Sequence, residues 1–217
     1  MPSVFGYWTL RGLGQACRFM LEYTGEEYQD DRYDATNPEK WQEVKTKNPH
    51  GLAFPNLPYY VDGDVKMSQS AAIIRHLARK NDMVGTSDHE TRQLEMLEGV
   101  IWDLRVWMGF LCYGTEESFN QTLPAMKERV STCYKQLSDY LGSNKWFLGD
   151  RITYVDFLFY DLFTNWHDLD SHLLDATENL CTFRQRFEAL PAIKSYMTSD
   201  RFIKWPINGP SAFWGGE

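Results

Sequence analysis

The chain has 217 residues and a mass of 25.4 kDa, with 24% charged and 43% hydrophobic residues, which excludes disordered, collagen-like and low-complexity classes. At this length it forms one large domain or two modest ones and needs neither disulfides nor a metal to fold. The net charge is −8 and no basic stripe offers itself to nucleic acid.

In chain order, 3–8 reads as a strand ended by Arg11-Gly-Leu-Gly14, and 15–23 carries Cys17, Met20 and Leu21 at helical spacing. Residues 26–33 alternate as a second strand. Thr36-Asn-Pro-Glu39 opens a short helix, with Asn37 as N-cap and Pro38 at the first helical position. Residues 58–61 and 65–67 flank Asp62-Gly-Asp64, a hairpin signal, and 68–80 follows as a helix with Ile73, Ile74, Leu77 and Ala78 on one side. This order is the outline of a thioredoxin-like α/β domain over 1–82. That stretch is nearly neutral at −1, whereas 83–217 carries −7, so a boundary is expected near residue 82.

The remainder, 83–217, reads as an all-α helical domain. Ser87-Asp-His-Glu90 is a capping box. Leu94, Leu97, Ile101, Leu104, Met108 and Leu111 then repeat along one long amphipathic helix. A second long helix is expected over about 122–141, interrupted early by Pro124. Thr153-Tyr-Val-Asp156 is another capping box, and its helix places Val155, Leu158, Phe159, Leu162, Phe163 and Trp166 in a broad stripe, the expected core. Further helices are expected over about 176–189 and 191–199.

Four cysteines, at 17, 112, 133 and 181, stand apart with no C-x-x-C pair, and the five histidines are dispersed, so no metal site is expected. Phosphate-binding glycine loops of the G-x-G-x-x-G and G-x-x-x-x-G-K types are absent. No stretch approaches the roughly 20 apolar residues of a membrane helix. The start lacks a basic region followed by an apolar core, so a cytoplasmic protein without a signal peptide is expected.

Several ordered motifs converge. Gly6-Tyr7-Trp8 and Arg11-Gly12-Leu13 open the chain; Trp41, Lys45 and Phe54-Pro-Asn-Leu-Pro-Tyr-Tyr60 follow. Next come Ser68-Gln69-Ser70, Ile73-Ile-Arg-His-Leu-Ala78, Trp146-Phe-Leu-Gly-Asp150 and Thr153-Tyr-Val-Asp-Phe157. Together they resemble a cytosolic glutathione transferase of the mu class along nearly the whole chain. The resemblance implies conjugation of glutathione to hydrophobic electrophiles, with glutathione as co-substrate, no cofactor, and a homodimer.

A free thiol with a pKa near 8.5 is only about 3% ionised at pH 7, so such an enzyme needs donors aimed at the sulfur. By resemblance Tyr7 is that catalytic donor. Glutathione-binding positions carried over are Tyr7, Trp8, Leu13, Trp41, Lys45, Asn56, Leu57, Pro58, Gln69, Ser70 and Asp103. Trp41 and Lys45 share a helix face and would take the glycyl carboxylate. Leu57-Pro58 resembles the family's cis-proline turn, whose backbone pairs with the cysteinyl unit. Gln69 and Ser70 open a helix and would take the γ-glutamyl carboxylate. Asp103 would reach glutathione bound to the neighbouring subunit.

The electrophile pocket would be walled by Leu10, Trp102, Arg105, Val106, Gly109, Tyr113, Asn208 and Gly209, with Tyr113 as proton donor to some electrophiles. Phe54, with Arg75 and Arg79 opposite acids such as Glu95 or Glu98, would make the dimer contact. The chain departs from vertebrate mu enzymes in a shorter stretch between Tyr33 and Trp41, as in flatworm and other invertebrate relatives, and in Ala16 where a proline is common. Thioredoxin or glutaredoxin chemistry is disfavoured, since Cys17 stands alone inside a helix. The rival reading is a non-catalytic ligand-binding or structural relative on the same fold.

Overall fold

The computed structural model describes residues 2–174 and 177–216. A four-stranded sheet occupies the first third, with β1 (Ser3–Trp8), β2 (Tyr28–Tyr33), β3 (Tyr59–Asp62) and β4 (Val65–Ser68) in the order β2-β1-β3-β4. β1 runs parallel to β2 and antiparallel to β3, and β3 to β4 is the expected hairpin. Three helices pack around it: α1 (Gln15–Thr24), α2 (Glu39–Lys47) and α3 (Ser70–Lys80). From residue 88 on the chain is helical, with α4 (Asp88–Cys112), α5 (Glu116–Leu141), α6 (Tyr154–Leu169), a 3-10 turn (Ser171–Leu174), α7 (Glu178–Glu188) and α8 (Pro191–Met197).

β1 is one of the two inner strands, and at Gly6 within it the Tyr59 ring lies across the position a side chain would take. The Tyr59 hydroxyl donates to Asp31 at 2.9 Å and lies 2.8 Å from the Tyr33 hydroxyl, so this buried phenol is satisfied. The two halves share one core. Phe19 of α1 meets Tyr160, Phe187 and Tyr196 edge-on at centroid distances of 5.3, 5.8 and 5.7 Å. α6 is the central helix of the second half, and among its expected stripe Val155, Phe159, Leu162, Phe163 and Trp166 are fully buried, while Leu158 is half-buried.

Several boundaries shift for identifiable reasons. β2 starts at Tyr28 because Glu26 follows the left-handed cap Gly25 and turns its carboxylate to the hydroxyls of Ser3 and Tyr60. α2 has Pro38 rather than Asn37 as its N-cap. Upstream, Asp34 accepts from both the N–H and the hydroxyl of Thr36, making a tight turn that sets where the helix begins. α3 starts at Ser70, since Gln69 has a φ of 79° and cannot belong to the helix. α5 starts six residues earlier than expected and runs through Pro124; Thr115 caps it by accepting from Ser118 N–H at 3.2 Å, and Glu116 and Glu117 favour its first turn. At Ser87 the capping serine accepts from Glu90 N–H as expected. The Glu90 carboxylate, however, takes Thr86 N–H and Arg151 instead of the serine backbone. The expected start of the seventh helix at Ala176 lies outside the described residues.

Three thiols are buried, and burial pushes Cys17 and Cys112 up to about 12 and Cys133 up to about 11. Cys181 is half-buried. Titration of the folded protein with dithiobis-nitrobenzoate is therefore expected to label Cys181 first, with the other three reacting only on unfolding.

Candidate active site

The site is built around the loop that follows β1. Tyr7, the next-to-last residue of β1, has its ring beneath this loop, 6% exposed, and Gly12 and Gly14 leave room for it. A Cβ on Gly12 would stand 2.6 Å from the Tyr7 hydroxyl, and one on Gly14 would run into the ring itself. The Tyr7 hydroxyl oxygen accepts from Leu13 N–H at 2.9 Å. With its oxygen engaged from the protein side, the hydroxyl hydrogen is available to another acceptor. Burial raises the Tyr7 pKa, opposed first by the Leu13 N–H and then by the charge of Arg105, so the phenol stays protonated at neutral pH.

The loop is braced from several sides. Fully buried Arg18 donates to the carbonyls of Leu10 and Trp8 at 3.0 and 3.1 Å and pairs with Asp30. Arg11 N–H and Gly12 N–H donate to Pro206 and Ile207 carbonyls in the tail, at 3.0 and 2.9 Å. These backbone bonds bring the tail over the loop.

A cavity of about 560 Å³ opens beside Tyr7. Leu10, Trp102, Arg105, Val106, Gly109, Tyr113, Asn208 and Gly209 all line it, together with Tyr7, Trp8 and Leu13. Its volume suits a small, mostly apolar ligand. The Tyr113 hydroxyl accepts from Gly209 N–H at 2.8 Å, which again leaves its proton free to point elsewhere. Asn208 lines the cavity but donates its amide to the Trp214 carbonyl, so its polar end is held by the tail.

Residues that sequence reasoning missed also line the cavity: Ala35, Met108, Asn165, Ile207, Pro210 and Ser211. Met108 had a signal, being one turn from Arg105 on the long helix, but its periodicity reads equally as core. Ala35 is the one residue of the shortened 34–38 connection on the cavity wall. The tail residues had no local signal, because backbone hydrogen bonds place them.

The other expected positions lie around the sheet's edge. Trp41 is buried, stacked on Tyr59 at 6.3 Å and edge-on to Trp8 at 6.4 Å; Lys45, one turn on, is exposed. Leu57-Pro58 is a cis peptide, with exposed Asn56 before it. Ser70 at the start of α3 shares a narrow recess with Leu13, Trp102 and Arg105, and Gln69 stands exposed just outside the helix. Asp103 does not join this cavity. It faces a second one of about 470 Å³ between α4 and α5, with Trp107, Arg129 and Cys133.

Phe54 projects from the connection before β3 and is 76% exposed. Arg75 pairs with Glu98 of its own chain at 2.8 Å, and Tyr154 donates to the same carboxylate. Of the two acids expected opposite the arginines, Glu98 is thus engaged within the chain, whereas Glu95 and Arg79 are exposed.

Comparison with known proteins agrees with this architecture. The family model described as the glutathione S-transferase N-terminal domain matches residues 3–79, and that described as the C-terminal domain matches 102–200. The chain is 43% identical over 222 residues to glutathione S-transferase 2 of Gallus gallus, covering 100% of this chain and 99% of that one. It is 42% identical to the class-mu 26 kDa isozyme 1 of Fasciola hepatica, covering 100% and 96%. The crystal structure of the glutathione S-transferase Blo t 8 superposes with a TM-score of 0.89 at 33% identity, covering 98% of this chain and 99% of that one. A thioredoxin-like sheet, an attached helical bundle and a buried tyrosine under a glycine loop are therefore found in a chain that belongs to the glutathione S-transferase family, in its mu class.

Proposed function

We propose that this protein conjugates the glutathione thiolate to hydrophobic electrophiles, with Tyr7 as the catalytic residue. The carrying observation is the Tyr7 hydroxyl, engaged through its oxygen by Leu13 N–H and opening on a mostly apolar cavity. Its proton donates to the glutathione sulfur and favours the anion over the thiol. The thiolate then attacks an electrophilic carbon in the cavity; the new S–C bond forms as the leaving group departs with its electron pair. Where the electrophile opens to an alkoxide, Tyr113 supplies the proton.

Glutathione lies along the edge formed by α2, the cis Leu57-Pro58 turn and the start of α3. Trp41 and Lys45 take the glycyl carboxylate, Asn56 and the Leu57 backbone take the cysteinyl unit, and Gln69 and Ser70 take the γ-glutamyl carboxylate. The protein works as a cytoplasmic homodimer of two-domain subunits divided near residue 82. Phe54, Arg75 and Arg79 make the subunit contact, and Asp103 serves the glutathione of the partner. Asp103's position outside the chain's own cavity supports that last role.

Steady-state conjugation of glutathione to 1-chloro-2,4-dinitrobenzene tests the proposal. Turnover saturable in both substrates is expected. Glutathione binding without turnover would favour the ligand-carrier reading instead.

A further inference from the structure

The side chains that wall the cavity beside Tyr7 differ in depth. Leu13, Trp102, Val106 and Tyr113 are exposed at its rim, whereas Leu10, Met108, Asn165 and Ile207 are buried and form its floor. Three of these floor residues are apolar. Asn165, in the body of α6 and 2% exposed, is the exception. Its Oδ1 has no hydrogen-bond partner among the described residues. By contrast, Arg105 donates from Nη1 to the Gly12 carbonyl at 3.0 Å and from Nη2 to Asp161 Oδ2 at 2.8 Å. Asn208 is held by the Trp214 carbonyl, and the Tyr113 oxygen by Gly209 N–H.

A helix interior gains nothing from asparagine, a poor helix former, and a buried amide oxygen left unpaired is costly. Such a group in a native structure points to water or to a ligand. Water serves the amide while the cavity stands open. A hydrocarbon-like electrophile expels that water and strands the amide, whereas one with a hydroxyl at its leading end takes the water's place. A hydroxyl both donates and accepts, so it answers the amide whichever edge is turned towards it. We infer that Asn165 is a specificity-determining residue of the cavity floor, and that the preferred electrophiles carry an uncharged hydroxyl at the end lying deepest, remote from the reactive carbon. This rests on the function proposed above and names the substrate class of that same cavity.

The test is calorimetric Kd for S-alkylglutathiones from butyl to octyl and for their ω-hydroxyl counterparts, in wild type, Asn165→Leu and Asn165→Ala. These conjugates put the alkyl chain in the cavity with no difference in chemical reactivity to confuse the comparison. At the chain length that reaches the floor, wild type should bind the hydroxyl-ended ligand at least as tightly as the methyl-ended one. Asn165→Leu should shift that ratio about tenfold or more towards the methyl-ended ligand, the effect of one hydrogen bond together with the stranded partner. Shorter chains should show no such shift, and S-methylglutathione should bind all three proteins within about twofold. The same pattern is expected in kcat/KM for trans-2-alkenals with and without an ω-hydroxyl. Asn165→Ala carries the test if Asn165→Leu fails to fold.

A hydroxyl-to-methyl ratio that is the same in wild type and both variants at every chain length would overturn the inference. The failure of the wider reading looks different. If affinity in wild type does not rise with alkyl chain length at all, the cavity is not where the electrophile sits, and the proposed function falls with it. If affinity rises with chain length but the hydroxyl shows no coupling to Asn165, the role of Asn165 alone is wrong.

Discussion

Tyr7→Phe is expected to lower turnover about 10²-fold at neutral pH while leaving glutathione affinity within a few fold, the usual consequence of losing one donor to a developing anion. The substitution keeps the ring that Gly12 and Gly14 accommodate, so the loop retains its packing. What disappears is the hydroxyl that accepts from Leu13 N–H and that, in the proposed mechanism, donates to the sulfur. One N–H is left without its acceptor, a loss of about 1 kcal/mol in stability that leaves the protein folded. The pH dependence has a definite sign. The donor stabilises the thiolate, so its loss raises the bound thiol pKa toward the free value near 8.5. The deficit should therefore be greatest at acid pH and shrink as pH rises through the variant's pKa. Rates for conjugation to 1-chloro-2,4-dinitrobenzene across that range decide the matter, and equal rates for the two proteins would remove Tyr7 from the chemistry.

The largest stability effect is expected at Asp156, in the first turn of α6. Its fully buried carboxylate accepts from Phe147 N–H at 3.0 Å, from Thr153 N–H at 2.7 Å and from the Thr153 hydroxyl at 3.0 Å. It thereby closes the start of α6, the central helix of the second half, onto the turn that precedes it. Asp156→Ala strands two buried N–H groups, at roughly 1–3 kcal/mol each, for a total of about 4 kcal/mol. For a chain of this size that lowers Tm by about 10 °C, measurable by circular dichroism.

Asp156→Asn keeps one acceptor and should lose less. Burial pushes the Asp156 carboxyl up to about 6 against those N–H donors, from an ordinary 3.8. The folded state therefore holds its proton more tightly than the unfolded chain does. Wild type should lose stability relative to Asp156→Asn as pH rises from 3.8 through about 6, with no further change above. A pH-independent difference between the two would show that the carboxyl titrates normally.

Much of this protein is legible in its sequence. The alternation in 3–8, the Asp62-Gly-Asp64 turn and the Thr153–Asp156 capping box are local patterns, and each produced the element it announced. Where local reading slipped, a competing local bond was responsible, as with the Asp34 turn that moved the α2 cap, or an upstream cap such as Thr115, which set α5 going before Pro124. The residues that wall the cavity were mostly readable through family motifs, because those positions keep their order along the chain.

By itself, then, the sequence determined the order of elements, the two-part architecture, the family and the candidacy of Tyr7. Periodicity, caps and turns act over a few residues, and family motifs keep their order, so both can be read in one dimension. Only the tertiary structure decided which way the Tyr7 proton is free to point and that Arg105 grips the Gly12 carbonyl. It also decided that Ile207, Pro210 and Ser211 join Asn208 and Gly209 in closing the cavity and that Asp103 faces away from it. Gly12 and Arg105 are 93 positions apart, and Arg105 and Asp161 are 56 apart. A hydrogen bond closed across such a span depends on how whole elements pack, and it leaves no spacing in the sequence by which to find it.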